Sequence, residues 1–394
     1  MKNYQQFEGL FGLERETLRI DADGHLAQTP HPFESACLER DFCENQLEII
    51  TPPCHSIADM LETLSGLDRE ARNCLKHQQE TLWLFSNPPH IDSEDEIPVA
   101  YFREDSRAGK NRYRQYLEQK YGKRKMLFSG IHFNFSFLDE YLQTLKPEQT
   151  EFQEFKNQFY LKLAKQVLSY SWLLVLLTAA SPVSNITLSH HQITGATLSD
   201  YASERSSRKG YWNSFIPCMN YDSVPEYTES IEAYIKEGLL YSAAELYLPV
   251  RLKPRGENSL ESLKKNGINH IELRMFDLNP LEPLGISRKD LEFAHILLVY
   301  LSQQADFEFT PDLQEQAVRN HQAAASLQVQ NVLIQGRPIL ERAQNVLSDM
   351  RRTFAEYPDI LEVLDYQEKK LEGRRPSEQI RYLKQDEFLN LLVS

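Results

Sequence analysis

Four short stretches carry residues whose types and spacing could do chemistry. In GLERETLRI, residues 12–20, Glu14 and Glu16 flank a single arginine. Residues two apart on a strand project to one face, so these carboxylates point together. In DFCENQLEIITPP, residues 41–53, Asp41 and Glu48 bracket a second strand-like segment. In SGIHFNFS, residues 129–136, His132, Asn134 and Ser136 share one face, and Ile131, Phe133 and Phe135 share the other. In HIELRMFDLNP, residues 270–280, Glu272 and Arg274 share a face. An antiparallel sheet would set these polar faces side by side. Crowded carboxylates raise one another's pKa unless cations neutralise them. Hard cations such as Mg²⁺ favour carboxylate oxygen and leave positions for substrate phosphates. Metal ligation is therefore one reading of the acids. The plainer reading is a solvated strand face with cross-strand ion pairs, a structural histidine and a surface Glu–Arg pair worth little. Spacing alone decides for none of the four.

The elements that must position these residues follow from periodicity. Residues 12–20, 41–51, 127–136 and 268–277 read as strands. Residues 57–80 have apolar positions at helical spacing, with Ser56 as N-cap. Residues 111–121 form a short, tyrosine-rich helix. A long helix covers about 150–179, starting near Glu151 and closed by Pro182, and another runs near 225–238. Residues 88–110 read as a long loop and 189–223 as an irregular polar segment. From about 287 the chain is mostly helical. No linker divides it. The expected fold is α+β: one domain over 1–394, an antiparallel sheet with helices packed on one side. No phosphate-binding loop, dinucleotide fingerprint or nucleophile elbow is present. His190 and His191 receive no role, and YGKRKM, residues 121–126, reads as a solvated turn.

Charge and composition narrow the class. With 43 basic and 57 acidic residues the net charge is −14, which argues against a nucleic-acid or anionic-membrane surface. Five cysteines, an odd number without a zinc spacing, read as free thiols of a reducing compartment. Cys43 lies between Asp41 and Glu48, so its oxidation could disturb that segment. The N-terminus has no apolar signal core. WLLVLLTAA, residues 172–180, falls short of the roughly 18–20 residues that span a bilayer. A cytoplasmic location is expected.

Together, GLERETLRI, DFCENQLEIITP, SGIHFNFS and IELRMFDLNPLEPLGI resemble the bacterial glutamate–cysteine ligases (γ-glutamylcysteine synthetases), in order and in spacing. The resemblance runs from about residue 8 to 285 and thins beyond. It implies a glutamine-synthetase-like fold, in which the sheet forms a funnel-shaped active site with helices packed around it. The implied reaction joins the γ-carboxyl of L-glutamate to the amine of L-cysteine, with ATP as co-substrate. This is the first step of glutathione biosynthesis. The family's metal ligands fall on Glu14, Glu16, Asp41, Glu48, His132 and Glu272, for two or three Mg²⁺ ions or Mn²⁺ in their place. Its arginine facing the transferred phosphoryl group falls on Arg274. SERSSRKGYWN, residues 203–213, matches a substrate block in which Arg205 and Tyr211 would contact a substrate carboxylate. Tyr113, Arg114 and Leu117, with Phe42 and Phe128, would line the acceptor pocket.

Arg208 and Lys209 depart from the family by adding positive charge inside the substrate loop. Nothing here resembles the fused ATP-grasp domain of bifunctional members, so a second step to glutathione is not expected of these residues. The expected partners are these small molecules, with no nucleic acid or membrane, and a monomer is expected. The nearest rival is a γ-glutamyl ligase with another small amine as acceptor. A metal-dependent hydrolase would run without ATP, and a silent binding protein would not need six intact ligands.

Overall fold

The computed structural model describes residues 4–104, 107–189, 192–194, 196–383 and 387. Seven strands form one antiparallel sheet: β1 (Gly9–Asp21), β2 (Leu38–Arg40), β3 (Gln46–Ile50), β4 (Glu80–Leu82), β5 (Gly130–Phe137), β6 (Val250–Pro254) and β7 (Ile268–Asp277). The order across the sheet is β6-β7-β5-β1-β3-β2, with β4 pairing on β1. Alternation gives the sheet two unlike faces. Leu13, Ile131, Phe133, Phe135, Ile271 and Leu273 are buried on one of them.

Against that apolar face lie α1 (Ile57–Lys76), α4 (Phe152–Thr178) and α7 (Arg288–Ser302), with α2 (Ala108–Tyr121), α3 (Asp139–Leu145), α5 (Val224–Lys236) and α6 (Leu260–Asn266) between them in the chain. Ser56 caps α1 by accepting from Asp59 N at 3.0 Å, worth about 1 kcal/mol. The buried stripe of α1 is Ile57, Met60, Leu64, Ala71 and Leu75. The last turns of α4 are apolar on all sides and buried throughout. The helix ends at Thr178, four residues short of Pro182. Among the described residues no helix is long and apolar enough to cross a membrane. Beyond α7 come α8 (Pro311–Ala324), α9 (Ile339–Thr353), α10 (Pro358–Lys369) and α11 (Pro376–Arg381).

Three expectations change. Residues 41–51 are not one strand. Asp41 N bonds Gln46 O at 3.1 Å and Gln46 N bonds Cys43 O at 3.1 Å, so the chain turns there and forms the β2–β3 hairpin. Strand β5 begins at Gly130, because Arg124–Leu127 is a tight helical turn. Finally, the helix read over 57–80 ends at Lys76, and Glu80–Leu82 forms β4 against β1. Helix α2 lies away from the apolar face. It closes over the polar one, where its side chains share a cavity with those of the sheet.

Candidate active site

The polar face is assembled by register. Glu14 on β1 lies opposite His132 on β5. Glu16 lies opposite Glu48 on β3, and Glu272 on β7 opposite Asn134. Arg15, between the two glutamates, points the other way. It is buried against α1, where it pairs with Asp68, and Arg72 Nε holds the same carboxylate at 2.8 Å. One strand thus aims two acids at the cavity and spends the residue between them on fastening a helix.

His132 is the centre of the wall. Its Nδ1 is 3.2 Å from Glu14 Oε2 and 3.7 Å from Glu272 Oε1, and its Nε2 is 3.5 Å from Glu16 Oε1. Asn134 Nδ2 donates to the other Glu14 oxygen at 3.1 Å. The backbone N–H of Gly130 donates to Glu16 Oε2 at 3.0 Å. Two sets of donor atoms, Glu14–His132–Glu272 and Glu16–Glu48–His132, each gather within 4.8 Å. Asp41 lies outside both sets but lines the same cavity.

Charge is unevenly shared along this wall. Burial pushes Glu272 up, but Arg274, Lys253 and His132 outweigh it and hold the carboxyl well below its ordinary range. Burial and Glu272 push Glu14 up, and His132 and Lys253 bring it below its ordinary value. For Glu48 the balance is reversed: burial, then Asp41, Glu14 and Glu16, outweigh the pull of Arg274 and drive it well above the usual carboxylate range. Burial also raises Glu16, against the pull of His132. Protein cations outweigh burial at Glu14 and Glu272 but not at Glu16 and Glu48, which is where a bound cation would gain most.

Every residue singled out from the sequence for the site lines one cavity of about 500 Å³. Glu14, Glu16, Glu48, His132, Glu272 and Arg274 come from the sheet. Asp41 and Phe42 come from the β2–β3 turn, Tyr113, Arg114 and Leu117 from α2, Phe128 from the approach to β5, and Arg205 and Tyr211 from the loop before α5. Arg274 Nη1 reaches Glu272 Oε2 at 3.3 Å. It sits where the pairing of β7 with β5 shifts register between Leu273 and Phe276, and such bulges re-aim side chains. Arg205 passes over Gly130, where a Cβ would fall 2.4 Å from its Cζ. Arg114 is already engaged: its Nε donates to Asp41 O at 2.8 Å. It holds the turn that carries Asp41 and Phe42.

The sequence reading missed β6, and with it Arg251 and Lys253, and it missed Tyr247; all three line the cavity. The alternation in VRLKP, residues 250–254, was the available signal. The Tyr247 ring lies 4.2 Å from that of Tyr211, centre to centre. Arg208 and Lys209 lie in the loop that carries Arg205 and Tyr211 but are exposed and do not line the cavity. One expectation is corrected. Cys43 is fully buried, and burial pushes its thiol well up, which is the environment of an inert cysteine rather than a redox-sensitive one. His190 and His191 lie outside the described residues.

Comparison with known proteins places the chain in a family. The family model for glutamate-cysteine ligase matches residues 2–239 and 234–324. The glutathione biosynthesis bifunctional protein GshAB of Listeria monocytogenes is 38% identical over 332 residues, 80% of this chain and 43% of that protein. The Clostridium perfringens protein of the same name is 36% identical over 86% of this chain and 46% of its own length. The chain thus spans less than half the length of these curated relatives. A glutamate–cysteine ligase of Clostridium acetobutylicum is 31% identical over 81% of this chain and 77% of that protein. Among solved structures, a bifunctional glutathione synthetase from Pasteurella multocida superposes with a TM-score of 0.83 at 29% identity, covering 98% of this chain and 52% of the other. A glutamate–cysteine ligase from Francisella tularensis in complex with AMP shares the fold, with a TM-score of 0.86 at 24% identity, covering 98% and 88%.

Proposed function

Since the chain belongs to the glutamate–cysteine ligase family, we propose that it acts as one domain to join the γ-carboxyl of L-glutamate to the amine of L-cysteine, with cleavage of ATP to ADP and phosphate. The observation that carries the reading is the meeting of Glu14, Glu16, Glu48, His132, Glu272 and Arg274 on one wall of one cavity. The relatives' names favour cysteine over another small amine as acceptor.

The wall fits divalent cations. Among the described residues, His132 Nε2 and Glu272 Oε1 are buried without a hydrogen bond, the latter meeting only the ion-pair contacts of His132 and Lys253; Glu272 belongs to one donor set and His132 to both. Carboxylates with a single imidazole suit Mg²⁺ or Mn²⁺. Glu14, Glu16, Asp41, Glu48, His132 and Glu272 would hold two or three such ions. When bound, the ions neutralise triphosphate charge and polarise phosphoryl oxygens.

In the reaction proposed, the γ-carboxylate of glutamate attacks the γ-phosphorus of ATP and ADP leaves. The amine of cysteine then attacks the carbonyl carbon of γ-glutamyl phosphate, and phosphate leaves. Little covalent work falls to the protein, so positioning and fixed charge carry the catalysis. Arg274 presents its guanidinium where negative charge gathers, and Glu272 keeps it aimed. Arg205 and Tyr211 face a substrate carboxylate. Phe42, Tyr113, Leu117 and Phe128 give the acceptor a small, partly apolar wall. Arg114 acts one step back by fixing the turn that bears Asp41 and Phe42.

The test is ADP release by the purified chain with ATP, Mg²⁺ and L-glutamate, with and without L-cysteine. Cysteine-dependent release, γ-glutamylcysteine in the mass spectrum and loss of both in Glu14→Gln are the expected results. Release that depends on glutamate and ignores cysteine would replace the acceptor, and no release would end the reading.

A further inference from the structure

Strand β6 carries Lys253 into the cavity beside Glu272. Its Nζ stands 3.3 Å from Glu272 Oε1, and its side chain is 13% exposed. The two oxygens of Glu272 are therefore divided. Arg274 takes Oε2, while Oε1 faces Lys253 and His132. A divalent ion held by Glu14, His132 and Glu272 needs a Glu272 oxygen, and Oε1 is the one that Arg274 does not claim. An ammonium and a divalent ion repel each other at one oxygen.

The two cationic side chains of β6 differ in freedom. Arg251 Nε is fastened to Leu246 O at 3.0 Å, and its guanidinium also reaches Ala244 O. Lys253 touches the acid wall with a point charge on a flexible stem, and it lines the cavity that would take the triphosphate.

We propose that Lys253 competes with a divalent cation for Glu272 Oε1, and that on cation binding its ammonium moves to the phosphates of the nucleotide. The inference rests on the reading of this wall as a cation site. Lys253 is then a positioning residue that couples the two ligands. A cation at Glu272 releases the ammonium, the nucleotide gives it a new partner, and each ligand tightens the other by the same factor.

The experiment is calorimetric titration of Mn²⁺ into the full chain, first alone and then with a non-hydrolysable ATP analogue. Without nucleotide, Lys253→Met is expected to bind Mn²⁺ about tenfold more tightly than wild type, within the usual range of such couplings. With the analogue, wild type tightens and Lys253→Met gains much less. Lys253→Gln, equally uncharged, is expected to match Lys253→Met and serves if that variant fails to fold. A Lys253 that merely supports the sheet would show the opposite, with both variants binding Mn²⁺ as wild type does or more weakly, and that result overturns the proposal. Wild type that binds no Mn²⁺ overturns the cation reading itself, and this inference with it.

Discussion

The fate of individual side chains tests the account most finely. Arg274→Met removes a guanidinium held beside Glu272 at 3.3 Å. It is expected to lower kcat by about 10²–10³-fold, the usual loss of one charge-stabilising group, and steady-state kinetics will show it. Gly130→Ala places a methyl 2.4 Å from Arg205 Cζ. The guanidinium must move, so the KM for glutamate should rise by more than kcat falls. An unchanged KM would separate Arg205 from the substrate. At this scale much was legible beforehand. Period-two spacing in GLERETLRI and SGIHFNFS set the acids and His132 on common faces, and the family resemblance supplied Arg205, Tyr211 and the α2 residues. Asp41 lines the cavity, but strand alternation does not put it there, since it sits on a turn. Lys253 and Arg251 went unread because a short edge strand of five residues carries too weak an alternation to stand out, and Tyr247 because it lies outside any strand.

Among elements, the joint between β1 and α1 deserves the sharpest prediction. Arg15 is buried and paired with Asp68, and Arg72 shares the same carboxylate. Asp68→Asn leaves a buried guanidinium without its counter-charge and should cost about 3–5 kcal/mol in urea unfolding at neutral pH. Burial pushes the Asp68 carboxyl up, but Arg15 and Arg72 hold it below its ordinary value. Its folded pKa is therefore lower than its unfolded pKa of about 3.9. The stabilisation is present above that pH and lost as pH falls through the folded value. The gap between wild type and Asp68→Asn should thus be constant near neutrality and narrow below about pH 4. A gap that stays constant under acid would mean that the pair contributes nothing through charge. Strand β7 and helix α4 lay where the pattern put them, and α1 began where Ser56 put it but ended at Lys76, because Glu80–Leu82 pairs with β1. The β2–β3 hairpin did not, because its five-residue turn reads as an interrupted strand until hydrogen bonds are seen.

At the scale of the molecule, the proposed cation site on the acid wall makes activity depend on divalent cations. Chelation by EDTA should abolish ADP release and added Mg²⁺ should restore it. Mg²⁺ with ATP at 100 times its Kd should stabilise the fold by about 2.7 kcal/mol, read as a rise in Tm. Undiminished turnover in excess EDTA would remove the cation from the account. The sheet with its larger helices on one face was legible as a whole. Periodicity alone did not show α2 closing the other face, because that helix buries only Arg114 and Leu117 and shows little apolar stripe; the family resemblance placed its residues at the site. In the reaction proposed, the glutamate carboxylate is activated by phosphoryl transfer inside this cavity. L-glutamate labelled with oxygen-18 in the γ-carboxyl, turned over with ATP, Mg²⁺ and L-cysteine, reports on that step through the mass of the released phosphate. One labelled oxygen is expected in the phosphate for each γ-glutamylcysteine formed. Unlabelled phosphate beside that product would contradict it.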